Sequence, residues 1–232
     1  IIGNQDLGAN LQSYLGWLGN YGHLPYEKQQ EMLWEIGEIE IGLGTIVKTN
    51  QRLGEALAVP YREAEEWIEQ TAPPLHIDET PWTVKGVKEW LWVFTTDNLC
   101  LFRGADTRSR AEVQDQIGQQ YDGVIISDDY SVYNGYDCRH QQKCLAHLRR
   151  HFQALSTQPG LHNRAIGETF KRLIDEAFER HALFRESSDL PAWAAWVVQF
   201  RSRWAAYFDY WRSLAGATAA RLLDNLRSKA DQ

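Results

Sequence analysis

The hydrophobic positions along the chain divide it into a helical start, a strand-rich middle and a helical end. In the first third, apolar residues such as Leu11 and Leu15 recur at the spacing of helices. Pro25 precedes a second such pattern, and a glycine-rich turn at residues 37–44 leads to a third. We therefore expect a helical N-terminal subdomain over residues 1–72.

The pattern changes after Pro73 and Pro74, where short apolar runs rich in β-branched and aromatic residues begin. The predicted order is three strands, a helix, a strand and, after a loop, a helix, at residues 75–78, 89–96, 99–105, 109–121, 122–130 and 145–155. Consecutive apolar residues from Val124 to Ile126 are typical of a parallel strand that is buried on both faces.

From residue 164 onward the pattern is helical throughout, and it includes an aromatic stripe at spacings of three and four. The stripe consists of Trp193, Trp196, Phe200, Trp204, Tyr207, Trp211 and Leu214. Such a stripe could stack nucleobases. Because helical spacing is more typical of packing, we interpret the stripe as core.

Composition and charge narrow the classes of function. The 232 residues carry a net charge of −7, with 11 acidic and 4 basic residues in 1–74. This balance argues against a protein that holds DNA by bulk electrostatics, so any DNA contact would be local. No apolar run is long enough to span a membrane, so we expect no membrane partner. Three cysteines, an odd number, favour a reducing cytoplasm over a disulfide framework.

The N-terminus lacks an initiator methionine and a signal-peptide pattern, which indicates the interior of a longer polypeptide. The helix–turn–helix order in the first subdomain would place Lys48 and Arg52 on its second helix. This arrangement resembles a DNA-binding motif, but the few basic residues favour a packed helical subdomain.

Two carboxylates are the best candidates for chemistry. Asp78 and Asp128 each end an apolar run, so each is held by a strand at the edge of the sheet, where a ligand can reach it. Two such acids repel each other unless a cation neutralises them. A hard divalent ion, Mg²⁺ or Mn²⁺, suits carboxylate oxygens and leaves positions for phosphate and water.

Four ordered stretches carry a family resemblance. They are HIDETPW at 76–82, EWLWVFTT at 89–96, SDDYSVY at 127–133 and CLAHLRR at 144–150. Together they resemble the insertion-sequence 66 family of bacterial DDE transposases. The resemblance implies an α/β, ribonuclease-H-like mixed sheet flanked by helices. It also implies a catalytic core at 73–160 and a helical insertion at 161–232.

By this resemblance Asp78 is the first catalytic acid and Asp128 the second, and both bind metal in a two-ion Mg²⁺ or Mn²⁺ site of the complete protein. Glu79, Cys144 and His147 belong to the motifs. Asp129 stands where the family usually has glycine, and Pro81 also departs from the pattern. Glu79 should point away from the side of Asp78 if the strand continues through it.

The implied activity is metal-dependent DNA cleavage and strand transfer at insertion-sequence ends. It implies double-stranded DNA as partner, self-association on DNA and a cytoplasmic bacterial location. The third acid of the family is a glutamate in a "DNN-x-x-ER" stretch. The sequence contains no such stretch, and its nearest match is LLDNLRSK, which lacks the second Asn and the Glu-Arg. We expect it beyond Gln232, and we expect residues 1–232 alone to bind metal weakly and to be inactive.

Local positive charge offers phosphate contacts near the predicted site. The candidates are Arg103, Arg108, Arg110, Lys143, Arg149 and Arg150, with Lys48 and Arg52 in the first subdomain. Two alternatives stay open. One is a ribonuclease-H-like nuclease, and the other is an inactive transposase-derived remnant that binds DNA or a protein.

The stretch YDCRHQQKCLAHLRRH at 136–151 could also indicate a zinc site. Cys144, His147 and His151 would share one helical face. However, Cys138-Arg139-His140 does not match the paired ligand spacing of structural zinc sites. We therefore favour the family motif, in which His147 orients an acid or contacts a phosphate.

Overall fold

The computed structural model describes residues 7–229, and the chain forms two compact units, residues 1–70 and 71–232. The expectation about the N-terminal residues 1–6 lies outside the described range. The first unit contains four helices, and the last of them ends just past its boundary. They are α1 (Ala9–Asn20), α2 (Tyr26–Gly37), α3 (Leu43–Ala56) and α4 (Ala58–Thr71). Its core is a small apolar cluster made by Leu15, Leu33, Ile41 and Ile46. The helical pattern predicted for this region is confirmed.

The second unit combines a mixed sheet with helices. Its elements are β1 (Leu75–Val84), β2 (Val87–Thr95), β3 (Cys100–Ala105), α5 (Arg110–Ile117), β4 (Gln120–Ser127), β5 (Asp137–Lys143), α6 (Leu145–Thr157), α7 (Asn163–Ser187), α8 (Leu190–Leu214) and α9 (Ala217–Arg227). The strand order is β3-β2-β1-β4-β5. The β1–β2 and β2–β3 pairs are antiparallel, whereas β1–β4 and β4–β5 are parallel. The predicted α/β fold with a ribonuclease-H-like mixed sheet is confirmed.

Strand β1 is longer than the sequence pattern indicated, because it continues past residue 78 to Val84. Its outer half pairs with β2 as far as Val84 and Val87. A two-residue turn joins the strands, with φ of 48° at Lys85 and 83° at Gly86. Positive φ at both central residues is the geometry of the tight turns that suit hairpins. The outer half is largely exposed, so it lacks the apolar run that marks a strand in the sequence.

Strand β5 lies where the sequence predicted a loop. Its residues, DCRHQQK, carry no large apolar side chain, and most of them are exposed or half-buried. Backbone pairing with β4, from Gln120 with Asp137 to Ser127 with Lys143, holds it in place. A polar strand at the edge of a sheet is protected against pairing with other chains. The pattern of hydrophobic residues in the sequence therefore gave no indication of this strand.

Helices α6 to α9 share one hydrophobic cluster, in which Phe152 of α6 stacks on Phe170 of α7 at 4.6 Å between ring centroids. Phe200, Trp204 and Trp211 of the predicted aromatic stripe pack against this cluster, whereas Tyr207 and Leu214 are exposed, so the stripe is core only in part. Its rings Trp193, Trp196, Phe200 and Trp204 contact one another in succession at 5.0 to 5.8 Å. These rings are only half-buried, and the fully buried residue of α8 is Phe208, outside the stripe. The predicted subdivision of this unit at residue 160 stays a prediction.

Within residues 7–229, no helix combines the length and the apolar character needed to cross a bilayer.

The contact between α6 and α7 depends on Gly167. A methyl group there would lie 2.5 Å from the carbonyl oxygen of Phe152 and 2.6 Å from Cβ of Ser156. We therefore expect Gly167→Ala to lower the free energy of unfolding by about 1–3 kcal/mol, although alanine favours helices. Gly104→Ala in β3 is the control, because nothing lies within 4 Å of its added methyl group. Equal urea-unfolding midpoints for the two variants would contradict this close packing.

Candidate active site

The two predicted acids lie on neighbouring parallel strands. Strand β1 pairs with β4 through Leu75 with Ile125 and His76 with Ile126. Two residues further along the same register, Asp78 is level with Asp128. The fold therefore brings both acids to the edge of the sheet at the carboxyl end of β4, where α/β proteins commonly bind ligands.

The side chains of β1 alternate between the two faces of the sheet. Leu75, Ile77 and Glu79 are buried, whereas His76 and Asp78 are exposed. The Asp78 side chain is 57% exposed and the Glu79 side chain 0%. The expectation that Glu79 points away from the side of Asp78 agrees with this alternation. Glu79 therefore cannot share a ligand with Asp78 from the same face.

Asp128 is held by contacts on both carboxylate oxygens. The backbone N–H of Tyr130 donates to Oδ1 at 2.9 Å, and Nη2 of Arg108 lies 3.7 Å from Oδ2. Its neighbour Asp129 instead pairs with Lys229, which is 100 residues away along the chain. The two successive acids therefore have different partners, and Asp128 is the one that faces Arg108.

A buried lysine lies behind Asp128. Nζ of Lys143 is 3.5 Å from the backbone oxygen of Asp128, and the residue is 6% exposed. Burial is the main cause that lowers the pKa of Lys143, and the nearby charge of Lys229 lowers it further. The negative charges of Asp129 and Asp128 oppose this shift. The site thus contains a basic group that is enclosed with the second acid.

Glu79 is the centre of a buried polar network. Nε of Arg108 donates to its Oε1 at 2.7 Å, and the hydroxyl of Tyr133 donates to its Oε2. Burial raises the pKa of Glu79, and the hydrogen bonds from Tyr133 and Arg108 oppose this shift. Burial is also the main cause that raises the pKa of Tyr133, with further contributions from the charges of Glu79, Asp128 and Asp78. Glu79, Asp128 and Asp78 therefore all raise the pKa of the same residue, Tyr133.

The guanidinium of Arg108 is held on its faces as well as on one edge. Its central carbon lies 3.7 Å from the ring centroid of Tyr130 and 5.0 Å from that of Trp90. The hydroxyl of Tyr130 also donates to the backbone oxygen of Arg108 at 3.3 Å. The loop that carries Asp128 is thus tied to the segment that carries Arg108.

The Cys–His motif lies beside the acids. Cys144 is the N-cap of α6, and its backbone N–H donates to the oxygen of Ser127 at 2.7 Å, which joins the helix to the end of β4. Nε2 of His147 lies 3.6 Å from Oδ2 of Asp78, and its Nδ1 is buried without a hydrogen-bond partner in the described part of the chain. His147 therefore lies beside Asp78, and its role in orienting an acid or contacting a phosphate stays a prediction.

No three histidine, cysteine or acidic side chains come together as a metal-binding group among the described residues. Asp78 lies beside His147, whereas Asp128 lies beside Arg108 and the backbone N–H of Tyr130. The carboxylate oxygens of the two acids suit a hard divalent ion, but a complete ligand set needs another donor.

The predicted basic residues fall into three groups. Arg108 and Lys143 lie at the acids. Others are engaged in structural contacts: Arg103 with Glu112 and Asp115, Arg149 with Asp175, and Arg110 with the backbone oxygens of Val132, Asn134 and Gly135. Arg150, Lys48 and Arg52 are exposed.

Several residues of the site were not singled out from the sequence. Trp90, Tyr130 and Tyr133 lie inside the motif stretches, so the repeated tyrosines of SDDYSVY were an available signal. Lys229 had no signal, because its partner Asp129 is so far away along the chain.

The buried network generates a stability prediction. Tyr133→Phe removes a hydrogen bond to a buried carboxylate, so we expect a loss of about 1.5–3 kcal/mol in the free energy of unfolding. Tyr136→Phe is the matched control, because its hydroxyl donates to the neutral backbone oxygen of Gly118. That change should cost about 0.5–1.5 kcal/mol. If urea unfolding gave Tyr133→Phe the smaller loss, Glu79 would not be the charged centre of the network.

Comparison with known proteins agrees with this geometry. The family described as "Transposase IS66 family" matches residues 6–229, nearly the whole chain. No curated protein and no solved structure matches the chain significantly. Because the family match spans both units, the chain belongs to the IS66 family of transposases.

Proposed function

We propose that Asp78 and Asp128 are the first two catalytic carboxylates of a DDE-type transposase, which cleaves and transfers DNA at the ends of an insertion sequence. The observation that carries this proposal is their position on adjacent parallel strands, where the register puts Asp78, inside β1, level with Asp128, which directly follows β4. Family membership supports transposition in general and a general use of divalent metal ions. It also favours this activity over that of a ribonuclease-H-like nuclease.

In this proposal Asp78 and Asp128 hold Mg²⁺ or Mn²⁺, which when bound neutralises charge on the reacting phosphate and activates the attacking oxygen. The residues of the chain hold these acids in place. The Tyr130 N–H fixes one oxygen of Asp128, and His147 lies beside Asp78. Most catalysis of phosphoryl transfer is positioning and charge neutralisation, so this fixed geometry is the contribution of the protein.

The proposal requires a third acid beside Asp78 and Asp128. A second candidate function is an inactive remnant that binds DNA or a protein partner. The observation that favours it is that no third acid joins Asp78 and Asp128 in the described residues.

For the complete protein, double-stranded DNA at transposon ends and targets is the proposed partner, in the bacterial cytoplasm. Arg108 and Lys143 at Asp128, and the exposed Arg150, are the proposed phosphate contacts of the second unit. The exposed Lys48 and Arg52 of α3 are those of the first unit. Self-association on DNA is part of the same proposal.

Metal binding tests the proposal directly. Asp78→Asn and Asp128→Asn should each weaken Mn²⁺ binding at least about tenfold, because each removes one ligand. Electron paramagnetic resonance of free Mn²⁺ measures the change. Asp122→Asn, an exposed acid on β4, is the matched control and should leave affinity unchanged.

Asp129→Asn decides between the two successive acids. It should leave Mn²⁺ affinity within about twofold, because Asp129 is paired with Lys229. A large loss for Asp129→Asn and none for Asp128→Asn would overturn the assignment of the second acid. Strand transfer by residues 1–232 alone would overturn the need for a third acid, and no strand transfer by a full-length protein that contains one would favour the inactive remnant.

A further inference from the structure

The guanidinium of Arg108 is fixed on one edge and on its faces, and its other edge is open. Its described polar contacts run through Nε and Nη2, to Glu79 and to Asp128. Nη1 is therefore the nitrogen that is available to a ligand, and the side chain is 30% exposed. An arginine held in this way loses little conformational entropy when it binds, because its planar fork is already oriented.

The charges around Arg108 explain what fixes it. Glu79 is fully buried and lies 2.5 Å from Nη2, whereas Asp128 lies 3.7 Å from the same nitrogen. The shorter contact is to the acid that is not in the metal-binding pair. Arg108 is therefore anchored by Glu79 and only approaches Asp128, so a ligand at Asp128 does not have to break the main anchor.

The open edge matches the chemistry of a phosphate. Arginine recognises phosphate oxygens through paired N–H donors, and it keeps its charge at any physiological pH. A DNA strand whose reacting phosphate reaches Asp128 would place the phosphate oxygens within a few ångströms of Nη1, since Nη2 is already 3.7 Å from Asp128. Developing negative charge on that phosphate is what a fixed cation stabilises.

We propose that Arg108 contacts the reacting DNA phosphate and that the buried Glu79 is its positioning residue. This inference rests on the proposed function, because it requires DNA to be bound at Asp78 and Asp128. Glu79 then acts through Arg108 on the substrate. It has no part in holding metal.

The test measures DNA binding over a series of salt concentrations, with Mn²⁺ and with EDTA, and it uses a labelled DNA duplex. The double variant E79Q/R108M removes both charges of the pair, so no buried charge is left without a partner. We expect its DNA affinity in Mn²⁺ to fall about tenfold and the slope of log affinity against log salt to fall by about 1, as for one lost phosphate contact. With EDTA it should match the wild type.

Two single variants sharpen the result. R108K keeps the charge but loses the fork, so we expect about a threefold loss of affinity with an unchanged salt slope. R103Q is the matched control, since it removes the same charge from an arginine held by Glu112 and Asp115. It should leave the affinity and the slope in Mn²⁺ unchanged. If E79Q/R108M fails to fold, the DNA affinity of R108K in Mn²⁺ becomes the test. An affinity equal to that of the wild type would then overturn the proposal.

Mn²⁺ binding without DNA separates this inference from the proposed function. The E79Q/R108M variant should bind Mn²⁺ within about twofold of the wild type, because the pair it removes has no net charge. Parallel losses of Mn²⁺ and DNA binding would mean that the pair only shapes Asp128, which overturns the phosphate contact. An equal loss of salt slope in R103Q would overturn it as well. If Asp78→Asn and Asp128→Asn left Mn²⁺ binding intact, the proposed function itself would fail.

Discussion

The two-residue period of a β-strand sends the neighbouring carboxylates of Asp78 and Glu79 to opposite faces of the sheet. Asp78 becomes exposed, and Glu79 enters the interior, where a bare charge is costly. Arg108 and Tyr133 satisfy the buried acid, and Arg108 also reaches towards Asp128. The alternation of side chains along β1 thus places Asp78 at the surface of the site and Glu79 in the buried network.

The polar edge of the sheet completes the arrangement. Parallel pairing of β5 with β4 places Lys143 next to Ser127, and the following residue, Cys144, caps α6 and bonds to the same Ser127. Because α6 starts at the strand end, His147 in its first turn comes to lie beside Asp78. Because β5, the cap residue Cys144 and α6 follow one another directly, the CLAHLRR motif lies close to the acids without a long loop.

The sequence predicted the parts of this fold that burial controls. Ile125 and Ile126 are buried at consecutive positions in a parallel strand, as the apolar run indicated, whereas Val124 of the same run is only half-buried. The sequence pattern did not predict β5, because backbone pairing rather than apolar side chains holds that strand. The ends of two apolar runs indicated both acids, although β1 continues past Asp78. In contrast, Arg108 contacts Glu79 across 29 residues and Tyr130 across 22, and no local pattern contains such contacts. Phe208 shows the same limit, since its burial depends on how α8 meets α7.

The ion pair between Lys229 and Asp129 has a consequence for the order in which the protein is made. A ribosome that adds 5–20 residues per second needs about 5–20 s to synthesise the 100 residues between the partners. The strands and the two acids emerge first, and during this interval Asp129 has no Lys229 to bind. The loop beside Asp128 therefore acquires its final contacts late, so newly made chains pass through a stage in which the strands have been synthesised and this loop is unfinished.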